Sequence, residues 1–371
     1  MKDSRADICE WLALSMVSGL GNVGFKQLLK VFGSPSAVLE AKEADLQHYG
    51  GIRKDVALRI TSKIFTADPD LEYMRAQKAG ARIVTYNDPG YPPALKEIPD
   101  PPMLFYIRGQ PMPSDKPLVA VVGSRSPTSY GIKSAQEIAE GLAAEGVGVV
   151  SGLATGIDSA AHNGCLKARG FTVAVMGTGI DIIYPASNRY LFERIAEEGC
   201  IVTEFPTGTP PEGKNFPKRN RIISGLAMGV VVVEAAKKSG SLITAAMALE
   251  QGREVFAVPG SIQSSKSAGT HFLLKHGAAL VEKADDIIAA LGIGKGKIYN
   301  SNGRALTELE ADLGEDEKIM LDILEPYPIH IDSIIQKVDM EPGRVLAILL
   351  QMELKGMVTQ LSGKMFIRTG R

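Results

Sequence analysis

Through the middle of the chain, apolar residues come in short, nearly continuous runs. These are Leu118–Val122, Val147–Val150, Thr172–Met176, Ile201–Phe205, Val230–Val233, Glu254–Val258 and Ala278–Val281. They are rich in Val, Ala and Ile, and polar-faced helical stretches separate them. Such runs predict strands buried on both faces of a parallel sheet, and the alternation predicts a doubly wound, mostly parallel α/β domain over residues 67–291. Arg82–Tyr86 and Leu104–Ile107 are expected to add edge strands ahead of it.

The flanks have other rhythms. Residues 1–66 read as helical: Ile8, Trp11, Leu12, Leu14 and Met16 begin one apolar face, and Phe25-Lys26-Gln27-Leu28-Leu29 begins another after the turn Ser18–Gly24. Two short helices joined by a Gly-rich turn are similar to a helix-hairpin-helix (SAM-like) unit, whose turn can hold a phosphate; the same glycines can equally be helix caps in a small bundle. Residues 292–312 have a Gly/Asn/Ser linker composition. Residues 313–371 then give helical stretches near 316–325, 331–338 and 343–355 and two strand-like pieces, Val358–Leu361 and Lys364–Arg368, joined at Ser362-Gly363. Three helices and a hairpin predict a winged-helix-like domain. Its third helix, Arg344-Val345-Leu346-Ala347-Ile348-Leu349-Leu350-Gln351-Met352, offers few groups to base edges, and packing on protein is the expectation.

Length and charge then bound the possibilities. The chain has 371 residues, 45% of them hydrophobic, with 41 Lys+Arg against 42 Asp+Glu, which excludes a basic coat but not a local basic site. The apolar stretch from Gly225 through Val233 to Ala236 is short of a membrane span, the start Lys2-Asp3-Ser4-Arg5 lacks a signal-peptide core, and Cys9, Cys165 and Cys200 are sparse. No membrane association and a reduced, cytoplasmic setting are expected.

In an open parallel sheet, ligands bind beyond the C-terminal strand ends, near a switch in strand order. There this chain carries Gly123-Ser124-Arg125, then Ser151-Gly152-Leu153-Ala154-Thr155-Gly156-Ile157-Asp158, then Gly177-Thr178-Gly179, then Ser239-Gly240-Ser241 and Pro259-Gly260-Ser261. Small residues let a ligand approach backbone N–H groups, and helix N-termini favour anions, so a phosphate-binding rim is predicted. The fourth strand end leads into a long loop reaching Gly225. In it, Lys214-Asn215-Phe216-Pro217-Lys218-Arg219-Asn220-Arg221 holds four bases, one ring and no acid. Cations that track phosphates beside a ring that stacks a base suit a nucleic-acid single strand. Asp158 could act as an acid or base, and reads more readily as the N-cap of the helix that begins with Ala160-Ala161. His162 and Cys165 have no further ligand cluster, so no metal is expected. His271 and His276 flank Leu273-Leu274 on a helix read as packing surface. There is no Gly-x-x-x-x-Gly-Lys-Ser/Thr and no Gly-x-Ser-x-Gly, and the Gly-x-Gly-x-x-Gly of a nicotinamide site is not at the strand ends: the first offers Gly123-Ser124-Arg125, and Gly177-x-Gly179 lacks the third glycine.

At these residues the chain resembles the DNA processing protein A (DprA, Smf) family. The motifs are Gly123-Ser124-Arg125, Ser151–Asp158, Tyr184-Pro185-x-x-Asn188, Phe216-Pro217-x-Arg219-Asn220-Arg221-Ile222-Ile223-Ser224-Gly225-Leu226, Glu234-Ala235, Ser239-Gly240-Ser241 and Val258-Pro259-Gly260, in order. The resemblance implies a Rossmann-like core that binds single-stranded DNA without cofactor or catalysis. It also implies a homodimer and loading of the recombinase RecA during natural transformation. By motif, Arg125 and Lys214 would contact phosphates, Phe216 would stack on or flank a base, and Arg219 and Arg221 would build the pocket. Asn220 would organise the loop, and Gly123, Gly152 and Gly156 would leave room for the strand. Ser124, Asn188, Arg189 and Lys218 complete the expected DNA contacts, and His271, Leu273, Leu274 and His276 the dimer contacts. The rival is a nucleoside monophosphate phosphoribohydrolase on a related scaffold. Its Pro-Gly-Gly-x-Gly-Thr-x-x-Glu signature is missing, since the comparable rim reads Pro259-Gly260-Ser261-Ile262.

Overall fold

The computed structural model describes residues 5–113, 116–293, 314–324, 329–338, 340–354, 358–361 and 363–368. Residues 294–312 of the expected linker, Lys2–Ser4 and Ser362 of the expected hairpin turn lie outside them. Six helices come first: α1 (Arg5–Ser15), α2 (Asn22–Phe32), α3 (Pro35–Glu40), α4 (Glu43–His48), α5 (Lys54–Thr61) and α6 (Pro69–Lys78). Their starts are written locally. Ser34 accepts from the Ala37 N–H and Asp68 from those of Asp70 and Leu71, each with a proline opening the helix behind it.

The apolar runs form strands with α-helices between them. In order these are β1 (Arg82–Thr85), α7 (Pro93–Lys96), β2 (Leu104–Gly109), β3 (Leu118–Gly123), α8 (Ser129–Ala144), β4 (Gly148–Ser151), α9 (Ile157–Lys167) and β5 (Thr172–Val175). Then come α10 (Arg189–Glu198), β6 (Cys200–Thr203), α11 (Asn215–Leu226), β7 (Gly229–Val233), α12 (Gly240–Glu250), β8 (Glu254–Ala257), α13 (Ala268–Lys275), β9 (Ala279–Leu280) and α14 (Ala284–Ala290). One sheet takes them in the order β1-β2-β6-β5-β4-β3-β7-β8-β9. β3 to β9 pair in parallel, while β1–β2 and β2–β6 are antiparallel. Alternate residues feed opposite faces. Ala174 and Ile201 pack beside Leu191, Phe192 and Ile195 of α10, whereas Val173, Val175 and Val202 pack with Ile222, Ile223 and Leu226 of α11 and Ala245 and Ala248 of α12.

Contacts group the chain into two compact units, Met1–Ile287 and Ile288–Arg371. The helical head does not separate at residue 66: Trp11, Leu12, Leu14, Phe25 and Leu28 share one cluster with Ile83, Met103, Tyr106 and Ala174. Helices of 6 to 11 residues are too short to close a core alone, and the sheet face supplies the missing apolar partner. In the second unit, helices Glu315–Ile323, Ile331–Lys337 and Pro342–Leu354 pack through Met320, Ile334, Val345, Leu349 and Met352. A small sheet, β10 (Ile329–His330), β12 (Met365–Arg368) and β11 (Val358–Leu361), lies beside them, the short β10 being an addition to the expected hairpin. Leu346 and Leu350 of the third helix stay exposed.

The strand order places the site. From β3 the chain steps outward through β4, β5 and β6, then returns to the other flank of β3 with β7, β8 and β9. The switch therefore falls between β3 and β7, whose C-terminal ends open a crevice for a ligand.

Candidate nucleic-acid interface

A pocket of about 450 Å³ occupies that crevice. Gly123, Ser124 and Arg125 from the end of β3 form one wall, and Lys238, Ser239 and Ser241 from the turn after β7 form the other. Phe216, Arg219, Asn220 and Ile223 line it from α11. The segment expected as a basic loop is thus a helix, which Asn215 opens and Pro217 follows, in a first turn where a missing N–H costs no helical hydrogen bond. Helical spacing sends residues 216, 219, 220 and 223 to one side, since positions three, four and seven apart share a face.

Arg219 is the deepest of these, 4% exposed. Its Nη1 donates to Gly152 O at 2.7 Å and to Val175 O, and its Nε donates to Asn220 Oδ1 at 3.2 Å. Burial pulls this guanidinium down to about 10, against the nearby Asp158 carboxyl and with help from Arg125. Gly152 is required beneath it: a Cβ there would stand 2.7 Å from the guanidinium. Two guanidinium groups stand near the Phe216 ring, Arg125 Cζ at 5.1 Å and Arg219 Cζ at 5.9 Å from its centre. Gly156 makes the turn at φ +83°, and a Cβ would strike Ser124 O and approach Pro127 Cδ to 2.6 Å. The turn thereby docks the loop after β4 on the loop after β3.

Asp158 is not the N-cap of α9. That position is Gly156, and Asp158 stands in the first turn, where its Oδ2 accepts from the Ala154 N–H at 3.3 Å. Burial pushes its carboxyl up, with Arg219 the main opposing influence. Glu234, buried at φ +52° after β7, accepts from the Thr128 N–H at 2.8 Å and from Thr128 Oγ1, and Thr128 in turn caps α8. This bond ties the two loops at the switch point together.

Several expected DNA contacts lie elsewhere. Arg221 points away from the pocket, pairing with Asp100 at 2.9 Å and Glu204 at 2.5 Å, because two helical steps from Arg219 rotate it to the far side. Lys214 is exposed and pairs with Glu212 at 2.7 Å; Lys218 is exposed; neither lines the pocket. Asn188 is structural, donating to Leu153 O at 2.8 Å and Ser159 Oγ at 2.9 Å. Arg189 is exposed outside the pocket. Among the expected dimer residues, Leu273 is in the core and Leu274 packs against it. His271 is half-buried with Nε2 3.0 Å from Gly260 O. His276 is exposed and stacks on exposed Phe272 at 4.0 Å. Nothing in the sequence pattern marked the pocket residues Lys238 and Thr244 beyond the pair Lys237-Lys238, with three residues between it and the fifth apolar run.

His162, behind this rim, is fully buried. Thr172 Oγ1 donates to Val149 O at 3.0 Å, so it accepts from His162 Nδ1–H at 2.7 Å, and Nε2 has no partner. Burial lowers the imidazole from 6.5 to about 3. The unfolded chain therefore takes up a proton below pH 6.5 that the folded protein refuses, and stability is lost as the pH falls. Relative to His162→Asn, the wild type is expected to lose about 1.4 kcal/mol of unfolding free energy per pH unit between those two values. Urea melts across that range check it, and a pH-independent difference would contradict a buried neutral ring.

A family model described as DNA recombination-mediator protein A matches residues 82–292. The chain belongs to the DNA processing protein A family. A second model, the DprA winged helix domain, matches residues 304–364. Protein Smf of Synechocystis sp. is 36% identical, over 96% of this chain and 98% of its own. DNA processing protein DprA of Streptococcus pneumoniae is 46% identical over 54% of this chain and 71% of its own. The S. pneumoniae DprA crystal structure superposes with a TM-score of 0.68 at 37% identity, covering 78% of this chain and 98% of that one. A Helicobacter pylori DprA structure, described for its single-stranded DNA binding mode, gives 0.52 at 30% identity over 57% and 95%. The Rossmann-like core and the winged helix are those of the DprA family, which is named for mediating recombination and not for a reaction. Among the described residues, no helix is long and apolar enough to cross a membrane.

Proposed function

We propose that this DprA-family protein binds single-stranded DNA in the crevice between β3 and β7, shields incoming DNA in the cytoplasm and, as a homodimer, loads RecA onto it. The observation that carries the reading is the pocket's chemistry. Arg125, Arg219 and Lys238 line it together with the Phe216 ring at a rim of glycines and helix N-termini, so phosphates meet cations and N–H donors while a base meets an apolar wall. The overall charge of -1 leaves this cluster as a focused site instead of a general affinity for polyanions. Exposed Phe272, His276 and Leu280 lie on α13 and the edge strand β9, which supports pairing of two copies along that edge.

Arg125 tests the reading, because it is exposed and can be removed without emptying the core. The logarithm of the affinity for single strands falls with that of salt by about 0.7 per phosphate contact. Arg125→Ala is expected to bind an oligothymidylate on the order of tenfold more weakly at moderate salt and to lower that slope by about 0.7. Fluorescence anisotropy across a salt series measures both. Equal affinity and equal slope would remove the pocket from DNA binding.

A further inference from the structure

Phe216 is half-buried in the pocket wall, and its ring is already in contact on several sides. One side covers Gly177, where a Cβ would come within 2.9 Å of the ring, and the guanidinium groups of Arg125 and Arg219 stand over it. Its remaining neighbour is Tyr184, with ring centroids 5.7 Å apart and planes tilted by 41°. Tyr184 is 41% exposed, and among the described residues its hydroxyl has no hydrogen-bond partner. Tyr130, the exposed ring on the β3 side, differs in being tethered through its hydroxyl to Pro259 O at 2.8 Å. A single 3-10 turn, Ala186–Asn188, leads from Tyr184 to Arg189, which is exposed and, among the described residues, in no ion pair. Tyr190 follows, 77% exposed. On the opposite wall, the exposed side chains Lys238 and Ile243 include no ring.

We propose that Tyr184 is the stacking platform for the base next to the one held at the pocket, and that the strand leaves the pocket across the 184–190 turn with Arg189 on its phosphates. The inference rests on the pocket being the single-strand site. An exposed ring one short turn ahead of an exposed cation suits an unpaired base followed by its phosphate, and every base has a face to offer, so this step is tolerant of sequence. Phe216 then acts as the wall that holds Tyr184 and Arg125 in place, more than as the platform.

The test uses the full chain and oligothymidylates of increasing length, each also made with one abasic site placed at successive positions. Tyr184→Leu keeps apolar bulk against Phe216 and removes the aromatic face; Tyr184→Phe keeps the face. The leucine variant is expected to bind longer strands on the order of tenfold more weakly while the shortest bound strand is unaffected, and phenylalanine is expected to restore wild-type affinity. One abasic position should weaken the wild type by a similar factor and have no further effect in the leucine variant, the signature of a broken pair. Wild-type affinity of Tyr184→Leu at every length, or an abasic penalty undiminished at all positions, would overturn the platform. Arg125→Ala, run beside it, separates the two readings: if it loses affinity while Tyr184→Leu does not, the pocket stands and the path fails; if neither loses affinity, both fail.

Discussion

Replacing Arg219 with leucine is expected to destabilise the protein by about 2–4 kcal/mol and to abolish the pocket. The guanidinium is the donor for two buried carbonyls, Gly152 O at the end of β4 and Val175 O at the end of β5. Leucine fills much of the volume but leaves both oxygens unsatisfied, and it removes the cation that opposes the upward push of burial on Asp158. A buried acceptor stripped of its donor costs about 1–3 kcal/mol, which sets the range. Arg219→Lys should recover only part, because one ammonium cannot reproduce a planar fork reaching Gly152, Val175 and Asn220 together. Urea denaturation with the midpoint and slope fitted separately is the measurement. A leucine variant with a wild-type midpoint would show that the buried guanidinium contributes nothing net.

Gly123→Ala is expected to have an effect of the same order, from crowding alone. Gly123 pairs with Val233 at the last step of the β3–β7 ladder. A Cβ at Gly123 would overlap Val233 O and stand 2.8 Å from Ile157 Cγ1, so β3 and β7 must part or α9 must move. These are backbone and buried side-chain neighbours with no flexible end to yield, and overpacking of a tight core costs about 1–3 kcal/mol or more. Because the strain falls on the switch point, single-strand affinity should drop with stability. Gly213→Ala is the control: nothing lies within 4 Å of its Cβ, and a change within about 0.5 kcal/mol is expected. Thermal melts of the two variants against wild type decide it, and equal melting temperatures for all three would show that the ladder absorbs a methyl group at Gly123.

The pocket's interior and its rim differ in how they were legible. Gly123, Arg125, Gly152, Phe216 and Arg219 could be assigned to one site because each follows a strand end or carries a motif, and all strand ends of a parallel sheet point to one rim. Lys214, Lys218 and Arg221 belong to the same basic segment, yet they leave it in other directions. Charge is visible in a sequence; direction depends on whether the segment is loop or helix. Once α11 is a helix, about 100° of rotation per residue separates Arg219 in the pocket from Arg221 beside Glu204 and Asp100. The same applies to α13, where Leu273 faces the core and Phe272, its neighbour, faces out.

What the sequence by itself determined is the set of strands, their parallel pairing and the rim on which a ligand would sit. Strands buried on both faces require continuous apolar runs, so their positions are written without reference to the rest of the chain. The tertiary structure alone decided that the helical head shares its core with the sheet, because short amphipathic helices do not record which apolar surface completes them. It also decided which basic residues line the pocket. Arg221 is held by Asp100 and Glu204, residues 121 and 17 positions away. An ion pair formed across such distances leaves no local pattern, which is why the sequence showed the basic segment and the rim but not that Arg221 lies outside the pocket.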